Sequence, residues 1–124
     1  MSGSDVRIHL HTPLDRDVLS RLRAGQFVLL SGKVYTARDA AHQRMVAAIE
    51  QGEELPVPLG GQVIYYCGPA PAPEGYPIGS CGPTTAARMD KFTPILLAHG
   101  LAATIGKGNR SAQVRRALIE HSAV

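Results

Sequence analysis

Residues 78–92, IGSCGPTTAARMDKF, bring together residue types that could bind an anion. Gly82 and Pro83 suit a helix start, because proline at the first helical position gives up a backbone N–H that has no partner there. Thr84 and Arg88 are four residues apart, a spacing that places both side chains on one helix face beside the free N–H groups of the N-terminus. The pattern predicts a helix that binds a carboxylate or a phosphate.

Two further basic residues follow predicted strands. Arg38 lies at a predicted helix start directly after a strand, and Lys107 lies between two glycines in a loop after another strand. Ligands of open α/β sheets bind where such loops meet at the carboxyl edge. Arg38, Arg88 and Lys107 would repel one another there without an anion, so a dicarboxylate is the ligand that fits. Solvated surface side chains are the alternative.

The cysteines and one pair of histidines are weaker candidates. Cys67 and Cys81 are too few for an iron–sulfur cluster, or for a structural zinc site without histidines. Cys81 could be a thiolate nucleophile, but a small residue filling a tight loop is favoured, since no histidine or acid lies nearby in the sequence. His9 and His11 would lie on one face of a strand and could bind a metal ion, but no third ligand is evident in the sequence. We therefore predict no metal site in this chain.

Alternating strands and helices must position these residues. The patterns predict strands over 6–11, 26–36 (with a bend at Gly32), 61–68 and 101–108, the last running into a loop. They predict helices over 12–25 (with Thr12 as cap), 36–52, from 82 to a break at Thr93-Pro94, 94–100 and 111–124. The buried stripes should contain Ala41, Met45 and Ile49 in one helix, and Val114 and Leu118 in the last. We expect one α/β domain over residues 1–124.

Composition excludes several classes of protein. With 124 residues and 44% hydrophobic content, the chain can form one domain with a real core. No apolar run approaches the roughly 20 residues of a membrane span, and the N-terminus lacks a signal-peptide pattern. We therefore expect a cytoplasmic protein. The net charge of +3 is scattered and aromatic residues make up 5%, which does not indicate nucleic-acid binding.

Four ordered segments resemble a known family: SGKVYTARDAAHQR, YYCGPAPAP, IGSCGPTTAARMDKFTP and IGKGNRS. They are similar to the β-subunit of the iron–sulfur-dependent class I fumarate hydratases and L(+)-tartrate dehydratases, equivalent to the C-terminal domain of single-chain members. The resemblance extends from about Asp15 onward. It implies a swivelling β/β/α domain in three layers, shortened at its C-terminus because family members continue past EHSAV. Periodicity alone would indicate an ordinary doubly wound sheet.

The resemblance also implies a role for each candidate residue. Arg38 and Arg88 would bind the substrate carboxylates, with Thr85 as a further substrate-binding residue. Thr84 would transfer the proton at the carbon next to a carboxylate. Lys107 would make the threonine hydroxyl a better base, because an unassisted hydroxyl is too weak a base at neutral pH.

The implied activity is that of a hydro-lyase acting on a four-carbon dicarboxylate, fumarate or L-malate ahead of L-tartrate. A partner α-subunit, and not this chain, would hold a [4Fe-4S] cluster that acts as Lewis acid on the hydroxyl. The isolated chain would then be inactive, and its assemblies would be hetero-oligomers or homo-oligomers without nucleic acid or membrane. Two alternatives stay open: a standalone dicarboxylate-binding module without catalysis, and a thiol enzyme built on Cys81.

Overall fold

Short strands and helices alternate along residues 7–68 and 70–124, which the computed structural model describes. The strands are β1 (Arg7–His11), β2 (Phe27–Ser31), β3 (Tyr35–Thr36), β4 (Val63–Tyr65) and β5 (Ala103–Ile105). The helices are α1 (Arg16–Arg21), α2 (Asp39–Glu50), α3 (Thr93–Ala98) and α4 (Ala112–Glu120), with a 3₁₀ turn over Ala86–Met89. This order confirms the α/β class. Within the described ranges, no helix is long and apolar enough to cross a membrane.

The strands form two parallel sheets. β1 pairs with β2, and the larger sheet has the order β3-β4-β5. The single strand predicted over 26–36 is therefore divided between the sheets. Its break falls at Gly32, which has a φ of +103°, a conformation outside the strand region that glycine enters without steric cost. The predicted bend at Gly32 is confirmed, whereas the prediction of a single strand was wrong, because the bend sends the chain into a second sheet.

The start of α1 also differs from the prediction. Asp15 caps this helix, since its carboxylate accepts a hydrogen bond of 2.9 Å from the Asp17 N–H. The Thr12 hydroxyl, predicted to be the cap, instead donates to the Lys33 carbonyl at 2.9 Å. Thr12 is buried and joins the end of β1 to the turn after β2. A tertiary contact has thus taken the side chain that the local pattern assigned to capping.

Two apolar clusters cover opposite faces of β4. Val63 belongs to the cluster with β1 and α1, whereas Ile64 belongs to the cluster with α2 and α3, as expected from the alternation of side chains along a strand. Burial of each such side chain stabilises the fold by about 1.5–3 kcal/mol. The predicted stripe residues Met45 and Val114 are buried, and the half-buried Ala41, Ile49 and Leu118 pack against the core.

The helix predicted from Gly82 does not form. Its helical part is only the 3₁₀ turn over Ala86–Met89, so Thr84 lies outside it. The Thr84 N–H donates to the Tyr66 carbonyl at 2.7 Å, and the Ala86 N–H donates to the Lys107 carbonyl at 2.8 Å. These bonds join the segment to the chain beyond β4 and β5, so the N–H groups of Thr84 and Ala86 are not free to bind an anion. The predicted break at Thr93-Pro94 is confirmed, because α3 begins at Thr93.

Candidate functional site

The carboxyl edge of the larger sheet carries most of the candidate residues. Arg38 follows β3, Gly68 follows β4 and Lys107 follows β5. Backbone hydrogen bonds continue past the strand ends, from Ala37 N–H to the Tyr65 carbonyl at 3.1 Å and from Tyr66 N–H to the Ile105 carbonyl at 2.8 Å. The parallel strands therefore place Arg38 and Lys107 along one edge, as loops at a ligand-binding edge are placed in α/β sheets.

Arg38 and Arg88 line the same open cleft beside this edge. The cleft has a volume of about 530 Å³, which suits a small ligand. Its walls are formed by the β3–α2 connection, the first turn of α2, Cys67 and Gly68. Arg44 also lines the cleft, and Asp39 supplies a carboxylate. Three arginines and one aspartate leave a surplus of positive charge that favours an anionic ligand.

The guanidinium of Arg88 is held from two sides. Nη2 donates to Asp39 Oδ2 in an ion pair, and Nη1 donates to the Thr84 hydroxyl at 3.3 Å. The Arg88 and Asp39 side chains are 52% and 40% exposed, so water screens the pair and its contribution is about 0–1 kcal/mol. Another carboxylate could replace Asp39 at little cost, because a guanidinium offers a fork of donors that matches any carboxylate.

Gly68 provides the space that Arg38 occupies. A Cβ at position 68 would lie 2.6 Å from both Cζ and Nε of Arg38, so the guanidinium rests directly on the glycine backbone. Arg38 also precedes the first turn of α2 and makes no side-chain capping bond there. Its guanidinium is therefore available to the cleft.

His42 is a buried residue that contacts the backbone of Arg38. The ring is fully buried, and Nδ1 lies 2.8 Å from the Arg38 carbonyl; since a carbonyl only accepts, Nδ1 carries the proton. Nε2 has no hydrogen-bond partner among the described residues. Burial lowers the pKa of His42, opposed in part by the Arg38 carbonyl and Asp39. The neutral ring thus fixes the Arg38 backbone. Sequence analysis missed His42, whose one signal was a histidine four residues after Arg38 in an apolar stretch.

Three candidate residues lie where hydrogen bonds continue beyond the ends of β4 and β5: Thr84, Thr85 and Lys107. Thr85 forms a parallel bridge with Lys107, so Lys107 lies beside Thr85, and among the described residues no hydrogen bond joins it to the Thr84 hydroxyl. The Thr84 hydroxyl is instead the acceptor for Arg88. Packing explains the glycine before Lys107, because a Cβ at Gly106 would lie 2.7 Å from the Tyr66 ring. Activation of Thr84 by Lys107 stays a prediction.

A mostly buried ion pair fixes the Arg88 turn to the Lys107 loop. Arg110 Nε donates to Asp90 Oδ1 at 2.8 Å, and the two side chains are 16% and 14% exposed. Arg110 also donates to the hydroxyls of Thr104 and Thr93 at 3.0 and 2.9 Å. Asp90 lies two residues after Arg88, and Arg110 three after Lys107. Sequence analysis missed this pair, which holds both segments in a fixed relation because a buried pair with satisfied hydrogen bonds resists separation.

The two cysteines pair with each other. Cys67, which lines the cleft, and Cys81 form a disulfide across 14 residues of sequence, with Cα atoms 6.1 Å apart. Neither sulfur is a free thiol in this state. The alternative of a thiol enzyme built on Cys81 therefore has no support from this arrangement.

The donors of this chain do not fit a cuboidal iron–sulfur cluster. Such a cluster needs three or four cysteine thiolates, and the two cysteines of the sequence are joined to each other. Within residues 7–68 and 70–124, no three histidine, cysteine or acidic side chains lie close enough together to hold a metal ion. The His11 Nδ1 lies 2.7 Å from the Thr12 carbonyl. The residues of the cleft can therefore contribute charge and hydrogen bonds, but not the ligands of a cluster.

Comparisons with known proteins identify the family of this chain. The family model described as Fumarase C-terminus matches residues 1–124. Fumarate hydratase 2 of Leishmania major is 43% identical over 124 residues, which cover 98% of this chain and 22% of the relative. The anaerobic class I fumarate hydratase of Escherichia coli strain K12 is 40% identical over 123 residues, covering 96% and 22%.

The chain is also similar to a shorter relative. The Methanocaldococcus jannaschii protein named "Putative L(+)-tartrate dehydratase subunit beta" is 32% identical over 114 residues, which cover 90% of this chain and 58% of the relative. The chain spans 22% of the length of each of the two fumarate hydratases. By the family match along its whole length, the chain belongs to the fumarase C-terminus family.

Proposed function

We propose that this chain is the carboxylate-binding part of a hydro-lyase, equivalent to a β-subunit, that hydrates and dehydrates a four-carbon dicarboxylate. Fumarate and L-malate are the first candidates and L-tartrate the next. The observation that carries the proposal is the cleft at the carboxyl edge of the larger sheet, which Arg38 and Arg88 line together. The names of the relatives, fumarate hydratase and tartrate dehydratase subunit, agree with such a substrate.

The two arginines would each bind one carboxylate of the substrate. The Arg38 guanidinium lies on the Gly68 backbone without a hydrogen-bond partner among the described residues, and Arg88 would exchange its exposed Asp39 partner for substrate. Charge-assisted hydrogen bonds of this kind contribute about 1.5–3 kcal/mol each. Thr85 would complete the binding site, because its bridge to Lys107 holds it at the same junction.

Thr84 would move the proton at the carbon next to the bound carboxylate. Its hydroxyl accepts a hydrogen bond from Arg88, so the proton acceptor would lie beside the carboxylate that Arg88 binds. Hydrogen bonding from a cation favours the deprotonated oxygen, so Thr84 would accept the substrate proton in dehydration as the alkoxide and become the hydroxyl. The same group would return the proton in hydration. Lys107, which the β-bridge to Thr85 holds in place, would add a second positive charge near this oxygen.

The reaction would also require a partner. We assign a [4Fe-4S] cluster to an α-subunit or domain outside this chain, where it would supply the Lewis acid for the leaving hydroxyl. β2 is largely exposed, and its apolar side chains Phe27, Val28 and Leu29 are exposed to 60%, 44% and 43%. Exposed apolar side chains of this kind support association with another chain, in a hetero-oligomer or a homo-oligomer. A cytoplasmic location belongs to the same proposal.

Anaerobic co-expression with a cluster-bearing α-subunit tests this function. The complex should convert fumarate to malate, or tartrate to oxaloacetate, whereas the isolated chain should have no hydratase activity. A standalone dicarboxylate-binding module without catalysis is the alternative. Dicarboxylate binding by the chain, without turnover of any of the three substrates by the complex, would establish that alternative and contradict the enzyme.

A further inference from the structure

The cysteine pair lies where two segments of the cleft meet. Cys67 follows β4 and is 2% exposed, and Cys81 precedes Thr84 by three residues. Their Cα separation of 6.1 Å lies within the range of about 4.4–6.8 Å that disulfides span. The family resemblance assigns no role to either residue, and the proposed reaction uses neither sulfur.

Bonds other than the disulfide keep these two segments together. The Tyr65 hydroxyl donates to the Cys81 carbonyl at 2.7 Å, and the Ala70 N–H donates to the Ser80 carbonyl at 2.8 Å. A third hydrogen bond, from Thr84 N–H to the Tyr66 carbonyl, lies three residues after Cys81 and one residue before Cys67. The backbone therefore holds the two sulfurs near each other whether or not they are joined, which is what a reversible dithiol requires.

Both ends of the pair connect to anion-binding residues. Cys67 lines the cleft next to Gly68, on whose backbone the Arg38 guanidinium rests. Cys81 leads into the segment of Thr84 and Arg88, the other wall of the site. A bond between the sulfurs thus fixes the backbone under one arginine to the segment that carries the other.

We propose that Cys67 and Cys81 form a thiol–disulfide exchange site for low-molecular-weight disulfides, and that its oxidation state sets the anion affinity of the cleft. The half-buried Cys81 reacts first: its thiolate attacks one sulfur of the small disulfide, forms a mixed disulfide and releases one thiolate. The buried Cys67 thiolate then displaces the second small thiolate. The cysteines lose two protons and two electrons, and the small disulfide is reduced to two thiols.

The oxidised pair should increase anion affinity. The hydrogen bonds keep the two reduced cysteines within reach of each other, whereas the covalent bond also removes the remaining local motion of the segment that carries Thr84 and Arg88, so less ordering is required when a dicarboxylate binds. We expect malate to bind roughly threefold to tenfold more tightly to the oxidised chain than to the reduced chain. This second half of the inference rests on the proposed dicarboxylate site, whereas the exchange chemistry does not.

Alkylation and mass spectrometry test the exchange site. The chain is equilibrated with mixtures of oxidised and reduced glutathione and quenched with N-ethylmaleimide in denaturant, so that the buried thiol also reacts, and its mass is measured. The reduced chain should gain two maleimides and the oxidised chain none, in one two-electron transition. Cys67→Ser should accumulate a glutathione adduct on Cys81, and Cys81→Ser should react at least roughly tenfold more slowly, because the buried thiol is less accessible. Any of three results would overturn the exchange site: two free thiols in every redox mixture, a persistent glutathione adduct in the wild type, or equal reaction rates in the two variants.

Malate titration of both oxidation states tests the effect on the cleft. The wild type should show the affinity difference in calorimetry, and the Cys67→Ser/Cys81→Ser double variant, treated with the same redox buffers, should show none. The wild type alone suffices if the double variant does not fold. Equal affinities in the two states would overturn control of the cleft. Absence of malate binding in both states would overturn control of the cleft and the proposed function, while the maleimide result decides the exchange site separately.

Discussion

Substitution of Arg88 by lysine tests the forked carboxylate contact. Lysine keeps the positive charge but is a point donor, so it cannot bind the Thr84 hydroxyl and a carboxylate in the planar arrangement that Arg88 offers. Loss of one charge-assisted hydrogen bond costs about 1.5–3 kcal/mol. Because Arg88 is 52% exposed, water reduces the effect. We expect the lower end, about 1.5 kcal/mol, a roughly tenfold increase in the Kd for malate.

Calorimetric titration of the chain with malate measures this Kd directly. The matched control is Arg115→Lys in α4, an exposed arginine away from the cleft residues, which should leave the Kd unchanged. Circular dichroism at the same temperature shows whether both variants are folded. If Arg88→Lys binds malate within twofold of the wild type, the guanidinium fork does not bind a substrate carboxylate.

Three other substitutions test the proton transfer, the Arg38 contact and the buried histidine. Thr84→Ala in the assembled enzyme should lower kcat by the roughly 10²–10⁴-fold typical of lost acid–base catalysis, with little change in KM; an increased KM with intact kcat would show that the threonine only binds. Gly68→Ala should displace the Arg38 guanidinium, because the new Cβ would lie 2.6 Å from Cζ, and should weaken malate binding several-fold by calorimetry; unchanged affinity would place Arg38 outside the site. His42→Asn keeps a donor for the Arg38 carbonyl but cannot titrate. In the wild type, burial lowers the pKa of folded His42 below its usual 6.5, so the unfolded chain binds more protons and the free energy of unfolding should fall as the pH drops below about 6.5, down to the folded pKa. The variant should lose that part of the pH dependence in urea titrations, and an unchanged slope would contradict a buried neutral ring.

The sequence was sufficient for the family and the α/β class, because both depend on local patterns and ordered motifs. It was not sufficient where a tertiary contact outweighs a local signal. Gly82-Pro83 is a helix-start signal, yet Thr84 and Ala86 use their N–H groups to extend the sheet. Thr12 similarly bonds to Lys33 instead of capping α1. These hydrogen bonds join residues that are far apart in sequence, which a local pattern cannot indicate.

The same limit applies to the candidate site. The residue types at the ends of β3 and β5 indicated which positions would meet at one edge. The partners of those residues were not predictable, since Arg88 pairs with Asp39 from 49 residues away and Arg110 with Asp90 from 20 residues away. The pairing of Cys67 with Cys81 likewise depends on the contact between the chain after β4 and the segment before Thr84. Such contacts arise from the folded arrangement and not from the spacing of the residues themselves.

The binding of a dicarboxylate between Arg38 and Arg88 is the central claim. Nuclear magnetic resonance of the ¹⁵N-labelled chain titrated with malate tests it most directly. Saturable shift changes should occur at the backbone amides of Arg38, Gly68, Arg88 and Lys107, with none in α1, and monocarboxylic acetate at the same concentration should not reproduce them. Shift changes that do not saturate, or that map to surfaces away from the cleft, would contradict the claim.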